Sequence, residues 1–215
     1  MRLGIFGGSF DPVHVGHLLL AEACREEARL DRVLFVPAAV APHKAGGTFA
    51  TAPHRLAMLA LALGGHDAFA VSTVEIDRGG TSYTVDTLAE LRQAFPGASL
   101  HLLLGPDSLE QFPTWRDPGG ILAQARLVAV ERAGLDDVAA ICRRGGLDRL
   151  LGADGLEQVL DERVTLPAIG LRSTDIRQRV AAGHGIRYRV PRAVECYIQS
   201  HGLYRRPPDE IARPR

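Results

Sequence analysis

The sequence predicts an α/β protein, a doubly wound parallel sheet with a small helical portion toward its C-terminal end. Three observations carry that expectation. Short apolar runs alternate with stretches of helical periodicity, the pattern of strands joined by crossover helices. The runs are too uniformly apolar for a sheet with one wet face, so helices must cover both sides. The chemically distinctive residues follow the first four runs, where an open parallel sheet receives ligands beyond its carboxyl strand ends.

In chain order, Leu3 to Phe6 is a buried strand followed by glycines. From Val13 to Arg29, Leu18, Leu20, Ala21 and Cys24 form an apolar stripe, and Glu22, Arg25, Glu26, Glu27 and Arg29 a wet face. Val33 to Val36 is a second strand stopped by Pro37, and a loop rich in breakers runs through Pro42-His43-Lys44 and Gly46-Gly47. Pro53 suits the first turn of a helix continuing to Leu63. Phe69 to Ile76, rich in β-branched residues, reads as a third strand.

Ser82 is the expected cap of a helix through Val85, Leu88, Leu91 and Phe95. Leu100 to Leu104 is a fourth strand ending at Gly105-Pro106-Asp107. A loop and short helix carrying Trp115 lead to a fifth at Leu127 to Val130. Leu135 to Leu160 suggests two short helices separated by glycines, and Val164 to Ile169 a sixth strand. Ser173 to Ala182 is a helix opened by Ser-Thr-Asp, and a last helix follows Pro191. Residues 1–204 read as a single domain and 205–215, with three prolines, as a loose tail.

With 215 residues, 46% of them hydrophobic and 23% charged, the chain suits one substantial core. A formal net charge of zero removes any global attraction to nucleic acid or an anionic membrane, so anion binding must be local. Cys24, Cys142 and Cys196 form no C-x-x-C pair and fit buried thiols in a reducing compartment. No signal peptide or membrane-length apolar run is visible, and the expected location is cytoplasmic.

The richest stretch is Gly7-Gly8-Ser9-Phe10-Asp11-Pro12-Val13-His14-Val15-Gly16-His17. A strand, a glycine turn and a helix start make an anion site from backbone N–H groups and the positive end of the helix dipole. His14 and His17, three apart, share one helix face near that end. The spacing matches neither the P-loop nor the G-x-G-x-x-G fingerprint, which argues against a kinase-type NTPase and an ordinary dehydrogenase. Zinc is the competing reading of the two histidines, but no Cys or carboxylate stands at ligand spacing nearby.

The run Gly-x-Phe-Gly-Gly-Ser-Phe-Asp-Pro-Val-His-x-Gly-His resembles the signature of the nucleotidylyltransferase superfamily, with its H-x-G-H element at His14–His17. More narrowly, the chain resembles bacterial nicotinate-mononucleotide adenylyltransferases over nearly its whole length. Ala41-Pro42-His43-Lys44 resembles that family's P-P-H-[KR], Thr81-Ser82-Tyr83-Thr84 its P-S-Y-T, and Arg172 to Arg177 its I-S-S-T-x-I-R. Gly105-Pro106-Asp107-Ser108, Trp115, Arg132 and the ending Leu203-Tyr204 fall where counterparts are expected. Ala41, Thr81 and Arg172 depart from the pattern without removing a residue given a role.

The resemblance implies a Rossmann-like nucleotidylyltransferase fold and attack of nicotinate mononucleotide on the α-phosphorus of ATP. Mg²⁺ would accompany ATP, with no metal held by protein ligands of its own. His17, His14 and Lys44 would be the catalytic groups. Gly7, Gly8, Ser9, Phe10, His14, Gly16, His17, Gly105, Asp107, Ser173, Thr174 and Arg177 would bind ATP. Lys44, Ser82, Tyr83, Thr84, Asp107, Trp115 and Arg132 would bind the mononucleotide. The partners would be these two nucleotides, without nucleic acid or membrane, and a homo-oligomer stays open. The competing functions are nucleotidyl transfer to phosphopantetheine or glycerol phosphate, and a catalytically silent nucleotide sensor.

Overall fold

The computed structural model describes residues 1–40, 48–134 and 137–205. Six parallel strands form one sheet: β1 (Arg2–Gly8), β2 (Arg32–Pro37), β3 (Phe69–Val71), β4 (Ser99–Leu104), β5 (Ala125–Arg132) and β6 (Val164–Leu166). Their order, β3-β2-β1-β4-β5-β6, reverses direction between β1 and β4. That reversal is the switch point at which open α/β sheets bind ligands. The doubly wound parallel architecture is therefore the one expected from sequence.

Side-chain alternation explains the two covered faces. Val33 and Phe35 of β2 pack on one face with Phe6, Met58, Val194 and Ile198. Leu34 and Val36 point the other way, joining Leu3, Ile5, Leu88, Leu102 and Leu104. α1 (Val15–Glu27), α2 (Ala52–Leu63) and α10 (Arg192–Ser200) serve the first face, with Ala21, Cys24, Leu59 and Val194 directed inward. α4 (Thr84–Ala94), α5 (Pro106–Gln111), α6 (Pro118–Gln124), α7 (Val138–Gly145) and α8 (Leu147–Asp161) serve the second.

Three expectations are corrected. Phe69 to Ile76 is not one strand: β3 ends at Val71 and the chain turns into the five-residue α3 (Val74–Arg78). The β-branched residues Thr73 and Val74 yield to tertiary contacts, because α3 carries Glu75 inward to the Thr87 hydroxyl at 2.7 Å. Gly7 and Gly8 are not a turn but the last pairs of β1, opposite Val36 and Pro37. The turn comes later, at Phe10 (φ 46°) and the cis Asp11–Pro12 peptide. Ser82 does not cap α4, whose cap is Tyr83. Its Oγ instead accepts from Ala39 N at 2.9 Å, and its own amide donates to the Val40 carbonyl, pinning the chain after β2.

The 135–160 region, expected as two helices, is α7 and α8, the latter broken at Gly152 with φ 70°. Residues Leu135 and Asp136, and 206–215 of the expected tail, lie outside the described residues.

One core residue gives the fold a pH dependence. His101, at the centre of β4, is fully buried, and burial pushes its pKa down to about 4, helped by the Arg2 charge. The unfolded chain protonates that imidazole near 6.5, so between about 6.5 and 4 the unfolded state takes up a proton the native state refuses. Stability from this residue is complete above that window and falls as pH drops through it, by up to about 3 kcal/mol. We expect His101→Leu to flatten the Tm-versus-pH curve between pH ~7 and ~4.5. Parallel curves for the two proteins would refute a neutral buried His101.

Candidate active site

A cleft of about 580 Å³ opens over the β1/β4 switch point. Its floor is the carboxyl end of β1 from Ile5 to Gly8, Val36 of β2, and Leu102 to Leu104 of β4. Its walls are His14 and His17 at the start of α1, Asp107 of α5, Trp115, and the start of α9 (Ser173–Ala181). Two helix N-termini, at Val15 and Ser173, thus face the same space.

The turn into α1 decides how the histidines present themselves. His14 caps the helix in an extended conformation (φ −141°, ψ 168°), and its amide donates to Nδ1 of His17 at 3.2 Å. Nδ1 of His17 must therefore offer a lone pair, which assigns the ring proton to Nε2. The two rings stack with centroids 3.6 Å apart and planes 21° apart. His14 is buried, and burial drives its pKa down to about 4, so it stays neutral across the physiological range. Gly16 leaves room for that stack, since a Cβ there would lie a tight 3.1 Å from Nδ1 of His14.

Phe10 does not reach the cleft surface. It is buried with its ring edge-on to His17 at 5.1 Å. A Cβ at Gly8 would lie 3.1 Å from that ring, so the glycine lets the end of β1 lie directly on it. Phe10 and Gly16, expected to touch ATP, stand behind the wall and shape it.

The loop after Gly8 is held by a network the sequence reading did not identify. The buried Asp11 carboxylate accepts from the amides of Phe49 (2.7 Å) and Ala50 (3.2 Å) and from the Tyr204 hydroxyl (2.7 Å). Arg55, 1% exposed on α2, donates to the carbonyls of Ser9 (2.9 Å) and Ala38 (2.7 Å). Burial lowers the Arg55 pKa, and the nearby Asp11 charge opposes that shift. From sequence, Arg55 has no assigned role. Its signal was its place on the otherwise apolar face formed by Met58, Leu59 and Leu63.

Opposite the histidines, α9 begins at Ser173, with Arg172 and not Ser173 as its cap. Ser173 Oγ donates its proton to the Pro12 carbonyl at 2.9 Å, so its backbone N–H is the donor left for an anion. Thr174 Oγ1 accepts from Arg177 Nη2 at 3.2 Å, keeping its own proton to give. Arg177 Nη1 donates to the Asp11 carbonyl at 2.7 Å, linking the two halves of the cleft.

At the other end, Ser82, Thr84 and Trp115 line the cleft together with the buried Glu75. Trp115 is half-buried against Phe112, with centroids 5.4 Å apart, and its Nε1 is buried without a hydrogen-bond partner among the described residues. Tyr83 does not line the cleft; its ring lies 4.6 Å beneath the Arg116 guanidinium. Arg132 ends β5 opposite Leu166, also away from the cleft. Gly7, Ser9, Gly105 and Asp107 line it, Asp107 in the first turn of α5. Lys44 lies outside the described residues.

Residues 5–179 match the cytidylyltransferase-like family. A protein from Thermomicrobium roseum, named "Probable nicotinate-nucleotide adenylyltransferase", is 47% identical over 95% of this chain and 92% of its own. A protein of the same name from Thermus thermophilus is 44% identical over 95% of this chain and 100% of its own. Among solved structures, the Plasmodium falciparum nicotinic acid mononucleotide adenylyltransferase complexed with NaAD superposes with a TM-score of 0.71. It has 15% identity and spans 94% of this chain and 97% of its own, a likeness of fold.

Proposed function

The chain belongs to the cytidylyltransferase-like family, among its nicotinate-nucleotide adenylyltransferases, and from that premise we propose how its residues perform the reaction. The enzyme transfers the adenylyl group of ATP to nicotinate mononucleotide, giving nicotinate adenine dinucleotide and pyrophosphate in NAD biosynthesis. The observation that carries the residue roles is the His14–His17 hydrogen bond, which leaves an Nε2–H on His17.

The nucleophile is a phosphate monoester, already largely ionised at neutral pH because its second pKa is about 6. No general base is needed; catalysis consists of alignment and of stabilising negative charge that builds on the α- and β-phosphates. His17 donates from Nε2 to an α-phosphate oxygen, with His14 behind it, at the dipole end of α1. The first amides of α9, the Thr174 hydroxyl and Arg177 receive the outer phosphates that leave as pyrophosphate. Gly7, Gly8 and Ser9 border this path, Gly105 and Asp107 face the ribose, and Lys44 adds a point charge.

When bound with ATP, Mg²⁺ would supply charge neutralisation along the triphosphate. Among the described residues no group of three His, Cys, Asp or Glu is placed to cage a metal, and Glu75 and Asp107 stand singly in the cleft. That donor set fits a Mg²⁺ carried in on phosphate oxygens and water.

The mononucleotide end is built for a flat anionic ring. Trp115 offers its face for stacking, and the opening amides of α4, at Thr84 and Val85, favour the nicotinate carboxylate over a neutral amide. Ser82 borders this end, while Tyr83 and Arg132, outside the cleft lining, take no direct part in it. The enzyme acts as one domain spanning residues 1–204, in the cytoplasm. Cys24 and Cys142 are buried thiols, pushed up to about 12 and about 11 by that burial, whereas Cys196, expected to be buried, is exposed. No described helix is long and apolar enough to cross a membrane.

Pyrophosphate release with ATP, Mg²⁺ and each of three acceptors tests the assignment. Nicotinate mononucleotide should give the highest kcat/KM, nicotinamide mononucleotide a lower one, and phosphopantetheine none. Turnover of phosphopantetheine in place of the pyridine nucleotides would overturn it.

A further inference from the structure

Phe49 is 75% exposed, an unfavourable place for a large apolar ring unless a contact holds it there. Its face lies 4.3 Å from the guanidinium carbon of Arg177, within range of a cation–π contact. Both partners hang on the same residue. The Phe49 amide donates to the Asp11 carboxylate at 2.7 Å, and Arg177 Nη1 donates to the Asp11 carbonyl at 2.7 Å. Tyr204 donates to the other carboxylate oxygen at 2.7 Å, which fixes Asp11 itself.

Arg177 is thus held on one edge by Asp11 and Thr174 and on one face by Phe49, while it borders the cleft. A guanidinium fixed only through its nitrogens can still pivot about those bonds. A ring on its face removes that freedom, so less is lost when an oxyanion binds. We infer that Phe49 is a positioning residue that holds the Arg177 guanidinium in the attitude needed to receive the leaving phosphates of ATP. The inference rests on the reading of Arg177 as a phosphate ligand.

Steady-state kinetics on Phe49→Ala, Phe49→Leu, Phe49→Trp and Arg177→Ala test it, with Tm measured for each. Phe49→Ala should raise KM for ATP about two- to fivefold, the size of an exposed cation–π contact, and leave the KM for the acceptor unchanged. Phe49→Leu keeps apolar bulk but has no quadrupole, so it should show the same loss, and Phe49→Trp should restore the wild-type value. Adding Phe49→Ala to Arg177→Ala should cost nothing further. Wild-type ATP kinetics in Phe49→Leu or Phe49→Ala would overturn the inference. Unchanged kcat/KM for ATP in Arg177→Ala would instead overturn the phosphate-ligand reading beneath it.

Discussion

His17→Ala is expected to lower kcat by about two to three orders of magnitude while the fold survives and ATP still binds, as removal of one oxyanion donor does elsewhere. The reasoning starts from a hydrogen bond and not from the motif. Because His14 N donates to Nδ1 of His17, the neutral ring has its proton on Nε2, fixed before substrate arrives. A donor held this way costs no reorganisation when charge develops on the α-phosphate, so its loss falls on kcat more than on KM. The ring is half-buried at the cleft wall, stacked on His14 at 3.6 Å and 5.1 Å from Phe10, so truncation removes one wall contact and leaves the sheet core in place. His17→Asn supplies a partial control, since an amide can donate but cannot reach as far. Single-turnover measurements at saturating ATP separate the chemical step from binding. A kcat within threefold of wild type in His17→Ala would remove the role.

Asp11→Ala should cause the second large effect, a stability loss of about 3–5 kcal/mol, or a Tm lower by roughly 10 °C. The substitution leaves the Phe49 and Ala50 amides and the Tyr204 hydroxyl without their acceptor. It also takes the strongest opposing charge from Arg55, which is 1% exposed and would keep only the weaker influence of Glu75. Burial and the Asp11 carboxylate both push the Tyr204 pKa upward, so the phenol remains a donor over the whole usable pH range. Tyr204→Phe removes only that bond and should cost about 1–2 kcal/mol. The pair is informative together: denaturant melts showing equal losses for Asp11→Ala and Tyr204→Phe would mean that the carboxylate does not anchor the loop.

Much of the sheet was legible because parallel strands covered on both faces are written as apolar runs, and Val33 to Val36 or Leu100 to Leu104 admit few other readings. β3 misled for the opposite reason. Its run is amphipathic and β-branched, and a three-residue edge strand leaves propensity little pairing to reinforce it. The Ser-Thr-Asp run before Ile176 did mark a helix start, but one residue inside the helix, because Ser173 gives its proton to the Pro12 carbonyl 161 residues away.

By itself the sequence determined the α/β class, the strand succession and the chemical inventory of the cleft: two histidines, a tryptophan and a Ser-Thr-Asp-Ile-Arg helix start. Those features are local, set by periodicity and by residue types at short spacing. Only the tertiary structure decided what each group can offer. It assigned the His17 tautomer, moved Phe10 and Gly16 behind the wall, and kept Tyr83 and Arg132 from the cleft. It also joined Asp11, Phe49, Arg55, Arg177 and Tyr204 into one scaffold. Such assignments depend on which donors meet which acceptors across the fold, and buried groups must find those partners wherever the chain brings them.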